Sequence, residues 1–270
     1  MNAFEHRPSA APAFLGVIHL QALPGAPLAT GSFSDVLSAA MRDADALLEG
    51  GVDGLIVENL GDRPYEATTV DASTIAYMTH LAVRLRDRMD QQLLGINILR
   101  NDPIAALSIA AAVQADFIRV NVHTGTMVTD QGIISGRARE TVALKRRLGV
   151  STRIAADIAV KHASPLGELN LTQTAKDTAL RACADAILVT GSGTGQPIDT
   201  ALVTTVRNAI PHHPIWAASG VTPQTLPALA PLVDAVVVGT WLHADSRLDQ
   251  PLDVERVRAM ARFIAETANG

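Results

Sequence analysis

Residues 117–123 read Phe-Ile-Arg-Val-Asn-Val-His. Ile118, Val120 and Val122 share one face of an extended chain, and Arg119, Asn121 and His123 share the other. A two-residue period marks a β-strand with unlike faces. An aliphatic face suits packing against helices, while a face of Arg, Asn and His suits the interior and mouth of a closed barrel. Seven more short apolar runs have strand character: 14–19, 54–58, 93–98, 153–157, 186–190, 215–219 and 235–238. Helical patterns separate them at 34–49, 71–89, 103–113, 137–148, 172–183, 200–209 and 223–230, and a last one covers 252–268. Eight such units in one chain predict a single (β/α)₈ barrel rather than an open doubly wound sheet.

Composition supports one domain. The 270 residues are 48% hydrophobic and 18% charged, ample for a buried core, and no Pro- or Ser-rich linker divides them. Residues 1–13 are expected to be a flexible N-terminal tail ahead of a domain over 14–270. A formal net charge of −5 argues against sequence-independent nucleic-acid binding. The single Cys183 excludes an internal disulfide and a multi-cysteine zinc site, and continues the apolar face of Leu180, which reads as core. No apolar run reaches the roughly 18–20 residues that span a bilayer, and the first thirteen residues contain no signal-like apolar stretch. A soluble cytoplasmic protein is expected. Barrels of this kind associate through outer helices, so a homo-oligomer is expected too.

In this architecture the loops that follow the strands build the functional face. His19, Glu58, Asn97 and Asp157 close the first, second, third and fifth strands, His123 ends the fourth, and Lys161 and His162 lie just beyond the fifth. His19, Glu58, Asn97, His123, Asp157 and Lys161 are therefore the candidate catalytic residues. A buried Arg119 would need Glu58 or Asp157 as partner, so Arg119 and Asn121 read as an internal polar network. Lys161 is one of only three lysines. Lysine, unlike arginine, can lose its proton when desolvated and act as base or nucleophile; a structural ion pair is the alternative.

Three glycine turns follow strands six to eight: Thr190-Gly-Ser-Gly-Thr-Gly195, Ser219-Gly-Val-Thr222 and Val238-Gly-Thr240. Glycine lets an anion approach the backbone, and N–H groups at a following helix start are donors. Gly191, Ser192, Gly193, Gly220, Gly239 and Thr240 are the candidate phosphate-binding residues; tight strand exits are the plainer reading of Gly220 and Gly239. No Walker loop or Rossmann fingerprint is present, so no nucleotide cofactor motif is recognised. His19, Glu58, His123, Asp157 and His162 offer nitrogen and oxygen ligands, which keeps a divalent metal open. The loop 20–33, with Pro24, Gly25, Pro27 and Gly31, reads either as a lid or as a fixed rim.

The chain resembles the BtpA/SgcQ family of TIM-barrel proteins. The resemblance rests on Gly16-Val-Ile-His-Leu20 with Leu23-Pro-Gly-Ala-Pro27, and on Glu49-Gly-Gly-Val-Asp-Gly54 with Val57-Glu-Asn59 and Gly61-Asp62. It continues through Asn97-Ile-Leu-Arg-Asn-Asp102, Phe117 to Gly125, Thr129-Asp-Gln-Gly132, Asp157 to Lys161-His162, Gly191 to Gly195, and Val238-Gly-Thr240. It implies the barrel and a shared pocket. Members are named for photosystem I biogenesis in cyanobacteria, and others sit among sugar-uptake and sugar-phosphate functions. Where that pattern has a lysine after the last strand, this chain has His243. Two functions are expected from these readings. One is an enzyme, isomerase/lyase or hydrolase, acting on a phosphorylated sugar or nucleotide-like metabolite. The other is a non-catalytic assembly or regulatory factor that retains the barrel as a scaffold.

Overall fold

The computed structural model describes residues 3–6, 11–158, 160, 162–191 and 198–267. Eight parallel strands close a barrel: β1 (Ala13–His19), β2 (Gly54–Glu58), β3 (Leu93–Asn97), β4 (Phe117–Val120), β5 (Arg153–Ile158), β6 (Ala186–Thr190), β7 (Ile215–Ala218) and β8 (Ala235–Val238). Each pairs with its neighbours in chain order, and β1 pairs with β8 to close the ring. Helices α1 (Phe33–Gly50), α2 (Ala72–Arg86), α3 (Pro103–Val113), α4 (Ala138–Leu148), α5 (Leu171–Lys176), α6 (Thr200–Ala209), α7 (Leu226–Leu229) and α8 (Val254–Glu266) follow the strands in turn.

Phe14, Ile18, Ile96, Ile118 and Ile154 face the helix layer and join the large outer core. Leu15, Val17, Ile56, Phe117, Leu188 and Trp216 fill the barrel interior. Gly95 pairs with Phe117, and a Cβ on Gly95 would sit 2.3 Å from the Phe117 ring, so the missing side chain makes room for the ring across the barrel.

The register is held by a repeated clamp. Asp53, Asp116, Asp185 and Asp234 each stand just before an even-numbered strand. Each backbone N–H donates to the carbonyl of Phe14, Leu94, Ile154 or Ile215 on the preceding odd strand. Each carboxylate accepts the N–H of that same residue, at 2.7–2.8 Å. A two-residue period makes a one-residue slip turn every side chain to the other face, so four such clamps keep the polar set in the mouth.

Two expectations change here. Residues 3–6 are not a free tail: Ala3 is buried and accepts the Trp216 indole N–H at 2.8 Å. Phe4 packs edge-on against Trp216 and Phe117, and the Arg153 guanidinium lies 4.8 Å from its ring centre. This aromatic cluster plugs the barrel opposite the mouth. Cys183 and Leu180, read as core, are exposed. The segment Asp177–Arg181 winds as a π-helix, which breaks the 3.6-residue phase and rotates Leu180 outward. The strand-like segments Thr126–Thr129, Gly132–Ser135 and Ala163–Pro165 form a small antiparallel sheet in loops that sequence reading left without structure.

Phe4→Ala removes the ring that seals the plug, and is expected to lower unfolding free energy by roughly 2 kcal/mol. A urea midpoint unchanged by the substitution would show that residues 3–6 contribute nothing to the barrel.

Candidate active site at the barrel mouth

Arg119 organises the mouth. It points inward from β4, 5% exposed, and its Nε and Nη2 donate to the two Asp157 oxygens at 3.0 and 2.9 Å. Its Nη1 lies 3.7 Å from Glu58 Oε2. Burial works against the guanidinium charge, but Asp157 and then Glu58 outweigh it and hold the pKa above the ordinary arginine value. Asn121 donates to Asp157 at 3.0 Å, and Asn97 donates to Asn121 Oδ1 at 3.1 Å and to the Arg119 carbonyl at 3.2 Å. Asn97 and Asp157 thus brace Arg119 from β3 and β5. Both are buried, and neither lines a cavity.

A cavity of about 130 Å³ opens above this network. His19, Glu58 and Arg119 form one wall. Ser219, Gly220, Val221 and Thr222 after β7, with Gly239, Thr240 and Trp241 after β8, form the other. Among the described residues, the N–H groups of Gly220, Val221 and Gly239 donate no hydrogen bond. Gly220 has φ +66°, the left-handed region that favours glycine. Gly239 serves a different need: a Cβ there would lie 2.5 Å from His19 Cε1. The glycine turn and the histidine are therefore one unit. The His19 ring also lies 5.7 Å, centre to centre, from the ring of buried His243. His243 Nδ1 donates to the Gln250 carbonyl at 2.6 Å, which leaves Nε2 as the ring's other nitrogen.

A second cavity, about 730 Å³, shares His19, Glu58 and Arg119 with the first. Leu20, Gln21, Ala22 and Leu28 of the first loop line it, with Arg63 and Tyr65 after β2, and Leu99 and Arg100 after β3. The start of that first loop is tied down: Leu20 N–H donates to the Glu58 carbonyl at 2.9 Å, and Leu23 N–H to Asp62 Oδ1 at 2.8 Å.

The structure thus brings together His19, Glu58, Gly220, Gly239 and Thr240 from the expected set. Gly191 is buried and lines neither cavity. Lys161, Ser192 and Gly193 lie outside the described residues. His123 is a correction. It is 1% exposed, Nε2 lies 2.9 Å from the Ala182 carbonyl, and it lines neither cavity. Strand β4 ends at Val120, and Val122 turns into a satellite core with Met127, Ile134 and Val160, so the alternation that aimed His123 at the mouth has stopped. Among the described residues no three His, Cys, Asp or Glu side chains gather to hold a metal, so the five proposed ligands do not converge. Sequence reading missed Ser246, Arg63, Tyr65 and Arg100; only Arg100, inside the Asn97–Asp102 motif, carried a signal.

Burial pushes the His123 pKa below the ordinary histidine value of 6.5 despite the Ala182 carbonyl and Asp185. In the unfolded chain the ring takes up a proton near 6.5, whereas the folded chain resists it. Stability is therefore complete above that pH and falls as pH drops through the depressed folded value. His123→Gln is expected to flatten this acid loss in urea melts between pH 7.5 and 5, and equal slopes for both proteins would remove His123 as its source.

Solved structures show the same fold at low identity. Phosphoribosyl anthranilate isomerase from Thermus thermophilus superposes with a TM-score of 0.57 at 14% identity, covering 94% of this chain and 98% of its own. KGPDC from Streptococcus mutans gives 0.58 at 13% identity, covering 95% and 99%. Sequence relatives are nearer. An uncharacterized protein of Thermococcus kodakarensis is 41% identical over 97% of both chains. The photosystem I biogenesis protein BtpA of Synechocystis is 39% identical over 93% of this chain and 88% of its own. No helix among the described residues is long and apolar enough to cross a membrane. The BtpA family profile matches residues 10–266, and this (β/α)₈ barrel chain belongs to the BtpA family.

Proposed function

We propose that the protein is an enzyme acting on a phosphorylated sugar or nucleotide-like metabolite, with chemistry of the isomerase/lyase or hydrolase class. One observation carries the reading: Gly220, Val221 and Gly239, whose N–H groups donate no hydrogen bond among the described residues, line the small cavity together with His19, Glu58 and Arg119. Backbone N–H groups after the seventh and eighth strands suit a phosphate monoester. With the phosphate there, the reacting carbons lie along the shared wall. His19 and Glu58 are the acid/base pair of this reading, and Arg119 holds the Glu58 carboxylate in place. The solved structures of similar fold include a phosphoribosyl anthranilate isomerase, which is in keeping with a phosphorylated substrate. The reading includes a cytoplasmic location and a homo-oligomer; the exposed cross-strand pair Val128 and Ile133 is apolar surface that self-association would cover.

The Synechocystis relative, a photosystem I biogenesis protein, favours a second reading, a non-catalytic assembly factor. A scaffold has no need of paired cavities around an ion network, because buried polar groups without partners destabilise.

Ribose 5-phosphate well above its dissociation constant is expected to raise the melting temperature by roughly 5 °C, and ribose is not. Gly239→Ala adds a methyl where the His19 ring lies and should weaken ribose 5-phosphate at least tenfold. Equal responses to the two sugars would defeat the phosphate reading and leave the scaffold. For Lys161, the substitution Lys161→Arg keeps the charge and removes the titratable amine. Full turnover by that variant would exclude Lys161 from proton transfer.

A further inference from the structure

We infer that Ser246, backed by Arg256 of α8, completes the anion site as its hydroxyl donor and the source of its positive charge. This deepens the phosphate reading above and rests on it. An anion in the small cavity needs a cation that Arg119 does not supply. That guanidinium is held by both Asp157 oxygens and lies 3.7 Å from Glu58, so two carboxylates already share its one charge. The N–H groups of the glycine turns are donors without net charge.

The loop between β8 and α8 brings the charge. Its Trp241 and Ser246 line the small cavity, and Arg256, in the first turn of α8, grips both. Arg256 Nε donates to the Trp241 carbonyl at 2.6 Å, and Nη2 donates to Ser246 Oγ at 2.7 Å. The guanidinium carbon stands 4.4 Å from the Trp241 ring centre, a cation over an aromatic face. Nearby arginines are neutralised: Arg247 by Asp249, and Arg258 by Glu49 and Glu255. Arg256 is half-buried and makes no ion pair among the described residues. A guanidinium so placed favours an anion within reach of the groups it holds.

Ser246 carries that charge to the cavity. Arginine can only donate, so Ser246 Oγ accepts from Arg256 and the single hydroxyl hydrogen points elsewhere. Among the described residues nothing accepts that hydrogen. Accepting from a cation polarises the hydroxyl and makes it a stronger donor. The backbone favours the same reading. Asp245 and Ser246 have φ +53° and +54°, and the Ser246 N–H donates to the His243 carbonyl at 2.9 Å. Glycine would take that left-handed conformation more easily. What serine adds there is one hydroxyl, the group that Arg256 holds.

The test is calorimetric titration of the intact protein with ribose and ribose 5-phosphate at fixed ionic strength. Ser246→Gly suits the positive φ, so it removes the hydroxyl without straining the loop. Ser246→Gly and Arg256→Gln are each expected to weaken ribose 5-phosphate about tenfold and to leave ribose unchanged. Because Arg256 acts through Ser246, the double variant should fall well short of the roughly hundredfold product of independent losses. Arg256→Lys, which keeps the charge, should bind more tightly than Arg256→Gln. Ribose 5-phosphate bound by Ser246→Gly as tightly as by the unmodified protein overturns the inference, and this arm decides even where the Arg256 variants do not fold. A double loss equal to the product, or Arg256→Lys no better than Arg256→Gln, overturns the part given to Arg256. If the unmodified protein binds ribose 5-phosphate no better than ribose, the phosphate reading itself fails. If Gly239→Ala weakens ribose 5-phosphate and Ser246→Gly does not, the glycine turns stand and Ser246 falls.

Discussion

A guanidinium inside a barrel must be neutralised, and the interior of this protein is arranged around that requirement. Removing one partner of a buried pair costs about 3–5 kcal/mol, because the remaining charge has no water to return to. Arg119 meets the requirement with both oxygens of Asp157 and the nearby Glu58 carboxylate, and Asn121 and Asn97 satisfy what remains. Five side chains from β2, β3, β5 and the β4 segment are thereby held in one arrangement. The same network sorts the polar groups of the mouth by task. Asp157 and Asn97 are consumed in holding Arg119 and line neither cavity, whereas Asn121 also reaches the larger cavity and Glu58, which contacts Arg119 at one edge, faces both.

His19 stands at the other edge of that floor. Its position depends on a residue with no side chain, since any Cβ at Gly239 would occupy the space of the imidazole. A glycine that looks from sequence like an anion-binding turn is therefore also the socket for a candidate acid/base group. Phosphate contact and proton transfer are coupled in this account through one backbone position.

Much of the fold was legible because its rules are local. Seven of the eight strands lie within one residue of the expected run and the fourth stops early, at Val120, since two-residue alternation and glycine-punctuated helices report directly on a repeated βα unit. The aspartate clamps were present in the sequence as Val52-Asp53, Ala115-Asp116, Ala184-Asp185 and Val233-Asp234, yet their meaning needs the partner strand. The site was legible only where strand ends dictate direction, as at His19 and Glu58. It was not legible past Val120, where the strand stops and His123 turns to the Ala182 carbonyl. Nor was it legible at Arg63 and Tyr65, whose loop carries no periodicity. The plug by Ala3 and Phe4 escaped because a short apolar segment gives no sign of the tertiary cavity that accepts it.

The central claim is that an anion binds at the glycine turns in contact with the acid/base wall. A crystal structure grown in phosphate tests it most directly. The account predicts anion density within hydrogen-bonding distance of the N–H groups of Gly220 and Gly239, next to the His19 ring. Phosphate bound elsewhere on the protein, with that cavity holding only water, would contradict it.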